Sequence, residues 1–125
     1  MKIALFSTFY PYRGGIAQFS AMLYRSLESE GHDLQAYTFK KQYPEFLFPG
    51  KTQFVTDKDN ADKINSIRSL SSMNPISFGA TARKINRYDP DVFISQYWMT
   101  FFGPSVGTLQ KKSSKDIKRI SILHN

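Results

Sequence analysis

The first forty residues constrain this chain more than any other part of it, because they read as strand, helix and strand in unbroken succession. Lys2-Ile3-Ala4-Leu5-Phe6-Ser7 is short, apolar and ended by small polar residues, the pattern of a strand buried on both faces of a parallel sheet. Ile16, Phe19, Leu23 and Leu27 then recur at three- and four-residue steps, which predicts the buried stripe of an amphipathic helix. Gly31 is placed to close that helix at the C′ position, and Asp33 to Phe39 reads as a second strand. Two strands joined through a helix must run parallel, with a right-handed crossover. The expected fold class is therefore α/β, a Rossmann-like three-layer sandwich with a mostly parallel sheet.

The remainder fits that class less evenly. Gln42-Tyr43-Pro44 and Phe48-Pro49-Gly50-Lys51 are turn signals, with a short strand expected at Thr52–Thr56. Asp57 to Met73 is polar and weakly periodic, and reads as loop with one helical turn. Asn74-Pro75 predicts an N-cap followed by proline at the first helical position, and Asp89-Pro90 stops that helix. A strand follows at Asp91–Gln96, then a helix at Phe102–Lys112 opened by Gly103-Pro104, then a strand at Ile117–Leu123. The sequence ends at His124-Asn125, at the carboxyl end of that strand, where ligand sites form in parallel sheets. The 125 residues are thus expected to be one domain, the N-terminal piece of something longer.

A hydrophobic fraction of 41% is enough for a packed core and argues against wholesale disorder. The net charge of +7 favours anionic partners, although lysines on a solvated rim would give the same balance. Part of the excess is local: Lys111, Lys112, Lys115, Lys118 and Arg119 surround a lone Asp116. There is no cysteine, which excludes disulfides and thiolate metal sites and fits a cytoplasmic setting. No stretch approaches the roughly 20 apolar residues of a membrane span. The usual nucleic-acid reading modules are missing, and nucleic acid is not an expected partner.

Gly14-Gly15 sits between the first strand and helix, where uncrowded N–H groups and the positive helix end suit an oxyanion. A plain tight turn accounts for the same pair. The Gly-x-Gly-x-x-Gly fingerprint is absent, and the second strand ends in Tyr37-Thr38-Phe39-Lys40, with no acidic residue for a ribose. His124 falls on the same sheet edge as the glycine pair, either as a hydrogen-bonded structural side chain or as part of a site. Two histidines unsupported by cysteine or helical carboxylate pairs predict no metal site. Gln96-Tyr97-Trp98 ends another strand and can either line a cleft or fill the core.

Taken in order, the first strand, Tyr10-Pro11 with Gly14-Gly15-Ile16, Glu30-Gly31-His32-Asp33 and Asp89-Pro90-Asp91-Val92 resemble the N-terminal domain of family 4 glycosyltransferases, retaining enzymes of the GT-B fold. The likeness spans essentially the whole chain. It includes Lys41-Gln42-Tyr43-Pro44 and Leu47-Phe48-Pro49-Gly50-Lys51, which look like a bacterial subgroup, and the terminal Leu123-His124-Asn125.

The resemblance implies a two-domain enzyme whose N-terminal half binds mainly the acceptor. By position, Gly14 and Gly15 would donate N–H bonds toward the donor pyrophosphate, and Arg13 and Gln18 would neighbour donor or acceptor. Gln96, Tyr97 and Trp98 would line the acceptor side, and His124 would lie beside the transferred sugar. The implied partners are a nucleotide-sugar, a saccharide or lipid-linked acceptor, an anionic membrane at the inner face, and a C-terminal domain carrying the nucleotide grip. No cofactor and no metal are implied. Two rivals use other chemistry: a non-catalytic flavodoxin-like domain binding a phospholigand or protein, and a nucleotide-sugar epimerase. The second lacks the strand-end carboxylates that such proton chemistry needs.

Overall fold

The computed structural model describes residues 1–10, 12, 15–41, 62–71, 74–97, 103–114 and 116–123. Its elements, in chain order, are β1 (Lys2–Phe6), α1 (Gly15–Ser29), β2 (Asp33–Lys41), β3 (Ser66–Ser71), α2 (Pro75–Tyr88), β4 (Val92–Tyr97), α3 (Gly103–Lys112) and β5 (Lys118–Leu123). The strands form a five-stranded sheet in the order β3-β2-β1-β4-β5, and every pairing is parallel.

Alternation along the strands builds two cores. Ile3 and Leu5 of β1, Ala36 of β2, and Val92 and Ile94 of β4 meet Ala21, Leu23, Tyr24 and Leu27 of α1 on one face. Ala4, Phe6, Tyr37, Phe39 and Phe93 meet Phe78, Ala82 and Ile85 of α2 and Val106 and Leu109 of α3 on the other. This is the three-layer sandwich. From β1 the chain steps outward one way to β2, and from β4 the other way to β5. Right-handed crossovers then require α1 and α3 to lie on opposite faces, as they do.

Local chemistry sets the helix ends as expected. Gly31 has φ +88, its N–H reaches the Glu28 carbonyl at 3.0 Å, and the His32 N–H reaches Leu27 at 3.3 Å, which together form a Schellman cap. The Asn74 side chain accepts from the Ile76 N–H at 3.0 Å, ahead of Pro75.

Two expectations are corrected. The segment read as loop with a helical turn contains β3, whose apolar residues Ile67 and Leu70 are three apart. They share a face because the pairing to β2 slips between Thr38 and Phe39, so Leu70, not Ser69, lies opposite Phe39. Such a bulge cancels the two-residue alternation by which a strand is recognised. The buried face of α1 is also rotated from the predicted stripe. Its buried residues are Ala17, Ser20 and Ala21, while Phe19 is 43% exposed. Small residues let the helix approach the sheet, and Leu23 and Leu27 pack along its flank. The strand expected at Thr52–Thr56 lies outside the described residues.

Candidate functional site

Between β1 and β4 the chain reverses the direction in which it lays down strands. In open parallel α/β sheets the ligand crevice lies at such a switch point, outside the carboxyl ends of the strands. α1 starts at this edge after β1, and α3 starts there after β4. Neither helix carries an acidic residue in its first turn, so each positive end remains uncompensated by its own side chains.

A buried polar network lies under the crevice. Ser7, which follows β1, meets the Ser20 hydroxyl of α1 at 2.6 Å. Gln96 of β4 donates its Nε2 to the same hydroxyl oxygen at 2.8 Å. Ser20 in turn donates to the Ile16 carbonyl at 2.8 Å, one turn back in α1. A hydroxyl has a single proton. Since Ser20 gives its proton to Ile16, the bond with Ser7 must run from Ser7 to Ser20. One oxygen thereby ties together β1, α1 and β4, and Ser7, Ser20 and Gln96 are all fully buried.

A second set lies on the other face of β4. Gln110 of α3 donates its Nε2 to the Ser95 hydroxyl, and Ser95 meets Ser121 of β5 at 3.4 Å. Adjacent residues of one strand end thus anchor the two helices that flank the crevice.

Two buried hydroxyls, Thr8 Oγ1 and Thr38 Oγ1, have no hydrogen-bond partner among the described residues, and Thr8 is the one at the carboxyl end of β1. Gly15 lies in open space, with no atom within 4 Å of where a Cβ would stand and no left-handed φ. Neither crowding nor strain within the fold demands glycine there, so the room it leaves faces outward.

Of the residues singled out in the sequence, the structure brings Gly15 and Gln96 to the crevice, Gln96 from within the fold through Ser20. Gln18 is exposed on the first turns of α1. The backbone of Tyr97 ends β4 in register with Leu123, the last residue of β5. Arg13, Gly14, Trp98 and His124, and the side chain of Tyr97, lie outside the described residues. Ser7, Ser20, Ser95 and Gln110 escaped the reading of the sequence. The available signal was a hydroxyl at position 20, in a helix face otherwise occupied by Ala17 and Ala21.

The displaced titrations belong to the scaffold. Burial pushes the Tyr37 hydroxyl up to about 12, and burial together with Asp33 does the same for Tyr88. Bonds from Arg25, the shorter at 2.8 Å, hold the Asp62 carboxyl below its usual range. No group of three or more His, Cys, Asp or Glu suited to a metal is found among the described residues, and no helix among them is long and apolar enough to cross a membrane. Comparison with protein-family models and with curated proteins finds no match for this chain.

Proposed function

We propose that this chain is the acceptor-side domain of a retaining glycosyltransferase that moves a sugar from a nucleotide-sugar to a saccharide or lipid-linked acceptor. The observation that carries the reading is the α1 N-terminus. It stands at the switch point with Gly15 open to the outside and a buried, unpartnered Thr8 hydroxyl at the same edge. Glycosyl transfer releases a nucleoside diphosphate, so negative charge grows on phosphate oxygens as the bond breaks. First-turn N–H groups have no acceptor within their helix and stabilise such charge without reorganising.

Within this reading Gly14 and Gly15 hold the pyrophosphate, and Arg13 and Gln18 neighbour it. Tyr97 and Trp98 line the acceptor side. His124 hydrogen-bonds to the transferred sugar rather than acting as a base, consistent with front-face attack. A second domain supplies the opposing wall and the nucleotide grip. The exposed cations Arg83, Lys84 and Arg87 of α2 and Lys111 and Lys112 of α3 suit an anionic membrane face at which a lipid-linked acceptor would be met.

Titration of the isotope-labelled chain with UDP tests the reading. Saturable shifts are expected at the Gly15, Ile16 and Ala17 amides, with weak affinity and no sugar transfer by this chain alone. Shifts confined to the α2 and α3 cations would refute it, and turnover by the isolated chain would overturn the need for a second domain.

A further inference from the structure

Ser20 sits in the first half of α1, which meets the sheet through small residues, whereas Leu23, Tyr24 and Leu27 pack its second half against the core. Its buried neighbours on the helix face are Ala17 and Ala21, whose methyl groups interdigitate little with the strands. A helix resting on small residues can slide or rotate more easily than one keyed by large side chains. Two hydrogen bonds at Ser20 Oγ key this half of the helix to the strands, one with Ser7 at 2.6 Å and one from Gln96 at 2.8 Å, while the hydroxyl's own proton goes to the Ile16 carbonyl of the same helix at 2.8 Å. The bond to Ile16 ends on a carbonyl of the first turn, the turn whose N–H groups have no acceptor within the helix.

We infer that Ser20 is a positioning residue for the oxyanion corner. With Gln96 as its partner, it sets the first turn of α1 at a fixed place relative to the ends of β1 and β4. This rests on the reading of the crevice as an oxyanion site. Gln96 then acts on the ligand through Ser20. The corner is preorganised, since its geometry is held by atoms that are fully buried.

Ser69 provides the matched control. Its hydroxyl meets the Thr81 hydroxyl at 2.8 Å, also joining a strand to a helix, β3 to α2, on an outer strand of the sheet. Inorganic pyrophosphate is titrated into the labelled full chain and read at the Gly15–Ala17 amides, for wild type, S20A, Q96M, the S20A/Q96M double variant and S69A. Unfolding midpoints are measured alongside.

S20A and Q96M are each expected to weaken binding about three- to tenfold. The double variant should be no weaker than the worse single one, because the two residues act as a unit. S69A should lose stability with affinity unchanged. Affinity in S20A equal to wild type, or losses that multiply in the double variant, would overturn the role of Ser20 while the site itself stands. Wild-type amides that do not respond to pyrophosphate would overturn both the site and the positioning role.

Discussion

The two edges of the sheet are built from different chemistry. At the amino edge charged and backbone groups pair with one another. The Lys2 ammonium lies 2.6 Å from the Tyr88 carbonyl and 4.4 Å above the Tyr88 ring. The Lys2 N–H donates to the Asp91 carboxylate at 2.9 Å, while the Asp91 N–H returns a bond to the Lys2 carbonyl at 2.8 Å. The Tyr88 hydroxyl donates to the Asp33 carbonyl at 3.1 Å. At the carboxyl edge the buried groups between β1 and β4 are neutral hydroxyls and amides, two helices begin without acidic residues and Thr8 keeps a hydroxyl to spare, while on the β2–β3 side the Arg68 guanidinium lies over the Tyr12 ring. The fold closes the amino edge on itself with charged and backbone pairs. The helix ends and the Arg68 guanidinium both add positive potential at the carboxyl edge.

The sharpest way to break the contrast is to remove the carboxyl-edge key. Replacing the fully buried Gln96 by alanine leaves a cavity and strips Ser20 of a donor. We expect a loss of about 2–4 kcal/mol, checked by denaturant unfolding. A comparable stability to wild type would mean that the network does not anchor β4 to α1.

The second test uses pH, which should act on the tyrosines and spare the neutral network. Tyr37 titrates near 12 in the folded protein, against an ordinary value of 10.0. A raised folded value means that its contribution is fully present below pH 10 and is lost as the pH climbs to about 12. That contribution is about 3 kcal/mol. The Y37F variant should flatten this part of the stability profile, and an unchanged slope would contradict the assignment.

The smallest stability effect is expected at Gly15, where a methyl group meets nothing. G15A should change the unfolding free energy by at most about 0.5 kcal/mol, in the stabilising direction. If the open space serves an oxyanion, the same variant should weaken pyrophosphate about three- to tenfold. Unchanged affinity would reduce Gly15 to an ordinary first residue of a helix.

Much of the architecture was legible because it depends on neighbours in sequence. The Gly31 cap, the Asn74-Pro75 start and the apolar runs of β1 and β4 are short-range patterns with short-range causes. β3 was hidden because a bulge put Ile67 and Leu70 on one face at a spacing that no regular strand shows. The face of α1 was misjudged because large apolar residues mark a stripe, whereas the closest approach to a sheet is made by Ala17, Ser20 and Ala21.

The site was half legible. Gly15 and the ends of β1 and β4 follow from the strand-helix-strand order, since parallel strands send their carboxyl ends to one edge. The link among Ser7, Ser20 and Gln96 does not, because 76 residues separate Ser20 from its partner on β4. Side-chain pattern and backbone stiffness decide strands, helices and their caps within a few residues, so those could be read directly from the chain. Which hydroxyl meets which amide depends on how closely α1 settles onto two strands at once, and that distance exists only after the layers have packed.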